Sequence, residues 1–243
     1  MNYQTTDEAY REVLRDVFNN PDYRAAPRGL PIREKVDYSF SVLNPTSSPI
    51  KTADEERNKT IADYTAKEVA LYDSGTNKVA AFAEASKFWL KLANPDGTIN
   101  SAYGHLLWKY YSCASGFSNR VMTPWEWAKE SLQADKDTRQ AVMHFALPEH
   151  KWVGNKDQVC TLSGNWLIRE NKLNLTIVMR SNDVVLGLVY DLPWFCSLMD
   201  KMLEELKPTY PDLQKGKYTH IAHSMHAYER DTGVIQKMLG DKL

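Results

Sequence analysis

The chain has 243 residues, enough for a sizeable buried core, and its 43% hydrophobic and 25% charged content is ordinary for a soluble globular protein. With 30 Lys and Arg against 31 Asp and Glu there is no basic surplus to displace counterions, which excludes a general nucleic-acid binder and leaves a small anion held by a few arginines open; no direct DNA binding is expected. "MNYQTTDEAY" lacks a basic-then-apolar leader, no apolar run approaches the roughly 18 residues of a membrane span, and Cys113, Cys160 and Cys196 form no C-x-x-C pair, so no membrane contact, no disulfide framework and a cytoplasmic location are expected.

Residues 6–19 carry Ala9, Tyr10, Val13, Leu14, Val17 and Phe18 at helical spacing. The proline-containing "YRAAPRGLPIRE" (23–34) reads as a loop. Val36, Tyr38, Phe40 and Val42 alternate, as in a half-buried strand. Helices are expected over 55–73 and 78–93, the second through Val79, Phe82, Trp89 and Leu92, and another starts at Thr123-Pro124 with a cap and a proline in its first turn. From about residue 139 the pattern turns to strands: "RQAVMHFAL" (139–147), "QVCTLSGNWLIR" (158–169), "LNLTIVMRS" (173–181) and "VVLGLVY" (184–190), with "RENK" (169–172) joining the middle two as a hairpin. "DLPWFCSLMDKMLEELK" (191–207) reads as a helix capped by Asp191 with Pro193 in its first turn, and "GKYTHIAHSMHAY" (216–228) as a last strand before a C-terminal helix. Helices early and strands late, around a mixed β-sheet packed with helices, place the chain in the α/β (α+β) class. With no internal repeat or long linker, one domain over 1–243 is the simplest organisation.

Several polar residues carry two readings each. Cys160, early in a predicted strand, is either a small buried hydrophobe or a thiolate nucleophile activated by a nearby cation. Arg180-Ser181 ends a strand, as a salt-bridged arginine or as a guanidinium and hydroxyl closing on a phosphate. Asp191 reads as a helix cap and Glu68 as a solvated helix residue unless both serve a site. His226 and Tyr228 share one strand face, as core side chains or as ligand contacts. No phosphate-binding glycine loop and no G-x-S-x-G elbow occurs. The spacing of His220, His223 and His226 alternates faces on a strand, so no metal site is expected.

The order of these residues says more than any one of them. Glu68, "FWLKL" (88–92), "SAYG" (101–104), "DTRQ" (137–140), Cys160, "RSND" (180–183), Gly187, Asp191 and "SMHAY" (224–228) together resemble the thymidylate synthase family, over roughly residues 60–230. Asn182 in its motif and the acid at position 191 look most like the family's phage deoxycytidylate hydroxymethylase branch. The resemblance implies a pyrimidine nucleoside 5′-monophosphate as substrate, 5,10-methylenetetrahydrofolate as co-substrate, and no metal. It implies that Cys160 adds to carbon 6 of the base, which makes carbon 5 nucleophilic towards the one-carbon unit. Arg180, Ser181 and the early-loop Arg28 would hold the phosphate. Arg139 would reach the partner's phosphate across a homodimer interface formed by the sheet face; Gln140 stands where the family usually carries a second arginine. His226 and Tyr228 would hold the sugar 3′-hydroxyl, and Glu68 and Tyr103 would handle protons. Trp89, Asp183 and Gly187 would contact the folate.

Asp191 departs from the asparagine usual in thymidylate synthases. An amide suits uracil, with a donor and an acceptor in the right order; cytosine reverses that edge, and a carboxylate accepts from its amino group. The implied reaction is C5 hydroxymethylation of dCMP. The alternatives are dCMP methylation, which differs in whether hydride or water reaches the exocyclic methylene, CMP hydroxymethylation, and a non-catalytic nucleotide-binding homologue. Leu92, in place of a second aromatic, fits a less shielded methylene and hence water. Cys160, Glu68, Tyr103 and Arg180 together argue against a merely binding protein, which needs no nucleophile. A phage-encoded chain of this kind would work in the host cytoplasm.

Overall fold

A computed structural model, which describes residues 1–111, 113–114 and 120–240, arranges the chain around a mixed sheet. Strand β1 (Asn2–Thr5) leads into helix α1 (Thr6–Asn19), capped by the Thr5 side chain accepting from the Glu8 amide. Short β2 (Tyr23–Ala25) pairs back on the long β3 (Ile32–Asn44). Helix α2 (Glu55–Ser74) starts at an Asp54 cap and stops at Gly75, whose φ of 68° is the left-handed conformation glycine adopts freely. Helices α3 (Val79–Ala85) and α4 (Tyr103–Trp108), the small hairpin of β4 (Cys113–Ala114) and β5 (Val121–Met122), and α5 (Pro124–Ala134) follow. Thr123 and Glu126 close a reciprocal capping box at the start of α5.

The second half carries β6 (Val142–His144), β7 (Thr161–Arg169), β8 (Lys172–Met179), β9 (Asn182–Asp183), α6 (Leu188–Leu206), β10 (Gln214–Tyr228) and α7 (Thr232–Leu239). The sheet runs β1-β3-β10-β8-β7-β6, with β2 beside β3 and β9 beside β10. Strand β10 is antiparallel to β3 and parallel to β8 and β9, so the sheet is mixed as expected. Alternation decides its faces. Trp166, Ile168, Leu173, Leu175, Ile177, Tyr218 and Phe40 are buried on one face, with α1 and the apolar helix α6 (Trp194, Phe195, Leu198, Met202) contributing to the same core. Leu167, Asn174, Thr176, Val178, Thr219 and Ile221 lie on the other face and are only partly buried.

Four local expectations change. The loop expected over 23–34 includes β2, a 3-10 turn over Pro27–Gly29 and the start of β3. The helix expected over 78–93 breaks at Ser86, whose extended φ/ψ ends α3 and whose side chain caps a separate 3-10 turn, Lys87–Lys91. "VVLGLVY" is not a strand: Asp183 Oδ1 accepts from the amides of Val185 and Leu186 at 2.8 and 3.2 Å and folds the segment into a turn that feeds α6. Helix α6 therefore begins at Leu188, Asp191 lies inside it with its amide bonded to the Gly187 carbonyl at 2.9 Å, and Asp191 is not its cap; Pro193 also falls inside the helix. Of the three cysteines, the side chain of Cys113 lies outside the described residues.

Candidate active site

Two pairings bring the site residues together. Strand β7 begins at Thr161 opposite Met179, the last residue of β8, and the Arg180 amide donates to the Cys160 carbonyl at 2.8 Å. Cys160 thus precedes one strand just where Arg180-Ser181 leaves the next. Strand β9 then pairs Asn182 with Met225 and Asp183 with His226 on β10, which aligns "RSND" with "SMHAY".

Arg180 wraps the loop that carries the thiol. Its Nε donates to the Val159 carbonyl at 2.9 Å, Nη2 donates to the Gln158 carbonyl, and Nη2 lies 3.4 Å from Cys160 Sγ. Burial nevertheless pushes the Cys160 thiol up. Arg180 and, more weakly, Arg28 oppose that rise, while Asp191 and Asp157 add to it. Burial thus favours the thiol, and Arg180 and Arg28 are the two cations that favour the thiolate. Arg28 itself is exposed and sits in the left-handed region, φ 55°, in the 3-10 turn after β2.

Helices α2 and α4 bring in Glu68 and Tyr103. Gly104 lets them meet: a Cβ there would stand 1.7 Å from the Tyr72 carbonyl oxygen. Tyr103 is 6% exposed, stacks on Tyr72 and Trp194 at 5.4 Å, and has its phenol pushed well up by burial, then by Asp191 and Cys160. Asp157 ties this segment to the cysteine loop. Its carboxylate accepts from the amides of Asn100 and Ser101 at 2.6 and 2.8 Å and from the Ser101 hydroxyl, three residues before Cys160. Glu68 is 8% exposed, and burial, helped by Asp191, raises its carboxyl to about 8.

Asp191 projects from α6 into the same cluster. Burial raises its carboxyl to about 6, against a 2.7 Å hydrogen bond donated by Asn182 Nδ2 to Oδ2 and with a further upward push from Asp183. Asn182 is 3% exposed, and its Oδ1 has no hydrogen-bond partner among the described residues. A Cβ on Gly187 would stand 2.8 Å from the Asp183 carbonyl and 3.4 Å from Asp191 Oδ2, so a glycine is needed between these two acids. Burial also pushes the Asp183 carboxyl up, offset by the Val185 amide and by His226.

His226 and Tyr228 meet edge to face at 5.3 Å on β10, with His226 7% exposed. Ser181 follows Arg180 and is partly buried. Trp89 is 7% exposed and donates its indole N–H to Tyr64, whose hydroxyl reaches Glu68. Arg139 does not join the cluster of its own chain. It lies exposed in the loop after α5, where the Ala141 carbonyl accepts from the Trp166 amide and the Asp137 carbonyl from Arg169, at the far end of β7. At about 3.3 Å per strand residue this is roughly 25 Å from Cys160. Among the described residues no group of three or more His, Cys, Asp or Glu is placed to hold a metal ion.

The sequence assigns no contact to Asp157 or Tyr64, and it marks Asn182 only as a motif variant, not as the partner of Asp191. Tyr64 was the most legible, four residues before Glu68 on one helix face. Asp157 was not, because its partners lie more than fifty residues earlier in the chain.

The fold and this cluster define a mixed-sheet α/β protein with a partly buried thiol, a guanidinium and two carboxyls with raised pKa in one site. The family profile described as thymidylate synthase matches residues 8–242, and the chain belongs to the thymidylate synthase family. It is 30% identical over 175 residues to the deoxycytidylate 5-hydroxymethyltransferase of Enterobacteria phage T6, covering 69% of this chain and 68% of that one. It is 27% identical to the deoxyuridylate hydroxymethyltransferase of Bacillus phage SP01, over 97% of this chain and 62% of that one. The structure of thermostable thymidylate synthase A from Bacillus subtilis superposes with a TM-score of 0.73 at 19% identity, over 97% of this chain and 84% of that one, and so shares the fold.

Proposed function

We propose that this protein hydroxymethylates carbon 5 of deoxycytidylate, using 5,10-methylenetetrahydrofolate. Family membership supports the coarser statement, a one-carbon transferase acting on a pyrimidine nucleotide with folate. The observation that carries the finer one is the Asn182–Asp191 pair. Asn182 engages Oδ2 of a buried carboxyl raised to about 6. Oδ2 is thereby kept as an acceptor, suited to the amino group of cytosine, and a proton on Oδ1 serves the bare ring nitrogen. Uracil would set a carbonyl against the fixed acceptor and leave buried polar groups unpaired, a mismatch such sites reject strongly.

In this reading Cys160 bonds to carbon 6 of the base, Arg180, Ser181 and Arg28 take the phosphate, and Arg180 also favours the thiolate. Glu68 and Tyr103 hold and move protons around the ring, and His226 and Tyr228 take the sugar hydroxyl. Trp89, Asp183 and Gly187 would hold the folate, which supplies the one-carbon unit. One observation fits such a ligand: the exposed apolar side chains of Phe88, Leu90 and Leu186 next to Trp89 and Gly187 in the chain. Leu92 in place of a second aromatic leaves the methylene open to water, which yields the hydroxymethyl product. The proposal includes a single domain over 1–243 and a homodimer joined through the open sheet face. The distance of Arg139 from its own Cys160 fits a role at the partner's phosphate.

Mass spectrometry of the product formed from dCMP and 5,10-methylenetetrahydrofolate tests the reading, with dUMP and CMP run in parallel. Hydroxymethyl-dCMP is the expected product. A methyl product would replace the hydration step, and preferential turnover of dUMP or CMP would overturn the base or sugar assignment. Cys160→Ala should lower turnover at least about a thousand-fold while retaining dCMP binding.

A further inference from the structure

The chain Trp89–Tyr64–Glu68 has a fixed direction. Trp89 Nε1 donates to the Tyr64 hydroxyl at 3.0 Å, and that hydroxyl lies 3.1 Å from Glu68 Oε1. An indole N–H only donates, so the Tyr64 oxygen is an acceptor towards Trp89 and spends its one proton on Glu68. The Tyr64 ring is itself clamped: it packs on Tyr190 of α6 at 4.6 Å, and Tyr190 accepts from Arg57 at 3.2 Å. Trp89 is held against Phe82 at 5.0 Å, edge to face. Neither the hydroxyl nor its donor can turn away without disturbing packed aromatic groups from α2, α3 and α6.

We propose that Tyr64 is a positioning residue for Glu68: locked by the Trp89 indole, its hydroxyl reserves Oε1 as an acceptor, so that proton exchange with the substrate runs through Oε2. The assignment rests on the function proposed above for Glu68. It adds a link, since the ring offered to the folate and the acid offered to the base hang from one hydroxyl. Glu68 is faced by Tyr64 and Tyr72 on its own helix and by Asp191 and Tyr190 on α6. Among these, Tyr64 donates to Oε1 at hydrogen-bond distance and Tyr72 also favours the anion, less than Tyr64 does, whereas Asp191 repels its charge.

Tyr64→Phe removes the hydroxyl and keeps the ring on Tyr190. Carbon-13 NMR of the glutamate carboxyls, with Glu68 assigned by its loss in Glu68→Gln, reads the consequence in the ligand-free protein. The Glu68 midpoint should rise by about one pH unit, because the lost donor favoured the anion. With dCMP and 5,10-methylenetetrahydrofolate, kcat should fall about ten-fold, with the Glu68 limb of its pH profile moving up too. Trp89→Phe removes only the lock and should move the midpoint the same way by less; it also decides the matter if Tyr64→Phe fails to fold. An unmoved Glu68 midpoint in the folded variants overturns the proposal. Absence of dCMP turnover in the unmodified protein would sink the functional reading alone, since the titration still reports what Tyr64 does to Glu68.

Discussion

Glu68 and Asp191 bury carboxyls that resist ionisation, raised to about 8 and about 6. A carboxyl whose folded pKa lies above its unfolded one keeps a proton that the unfolded chain has lost, so its contribution to stability is complete at low pH and is lost as pH rises through the folded value. For Glu68 the window runs from its ordinary 4.5 to about 8. Thermal melts should therefore show the protein losing stability across that window. Glu68→Gln should flatten the loss and be the more stable chain at pH 8, by on the order of 2 kcal/mol. Equal pH slopes for the two proteins would show that Glu68 ionises freely when folded. At this scale the sequence points to Cys160, Arg180, Glu68, Tyr103 and Asp191, and the structure places them in one cluster. It was a poor guide to their charge states. A cation beside Cys160 is expected to activate the thiol, and the Arg180 guanidinium does pull that way, but the loss of water around the sulfur outweighs a cation 3.4 Å away.

Strands with strict alternation were legible, because a period of two over eight or nine residues has one reading, as in β7 and β8. The hairpin between them was legible from "RENK". Its turn residues Glu170 and Asn171 have φ of 50° and 57°, the left-handed pair that a two-residue hairpin turn demands. Asparagine tolerates that region and glutamate does not. Glu170→Asn should therefore raise stability by about 0.5–1 kcal/mol in urea unfolding, with an unchanged m-value; a loss would show that Glu170 makes a contact worth more than its strain. The run "VVLGLVY" was not legible, since a short apolar stretch fits a strand or a buried helix equally. What decides it is Asp183 bonding the amides of Val185 and Leu186 and Gly187 fitting between the Asp183 backbone and the Asp191 carboxylate, contacts made by the turn itself. The break at Ser86 was hidden for a similar reason: the apolar spacing runs on through both segments while the backbone turns at one residue.

For the molecule as a whole, the proposed homodimer would join the open sheet face to the remote Arg139. If two chains pair through that face, Ile221→Arg should place a charge in the interface. Sedimentation should then show monomers, and dCMP turnover should fall even though Ile221 lies outside the Cys160 cluster. A dimer that persists would locate the interface elsewhere. The mixed order of the sheet has another consequence, for the way the protein is made. Strand β10, synthesised after both of its neighbours, lies between β3 and β8, and it carries His226 and the backbone that β9 pairs with. Until residue 228 has left the ribosome, β3 and β8 each have a bare edge and the two halves of the site have nothing to align them. A nascent chain halted before Gln214 should be sticky, protease-sensitive and inert towards nucleotide. This topology asks the strand made last of the three to take its place between the other two before the site can align.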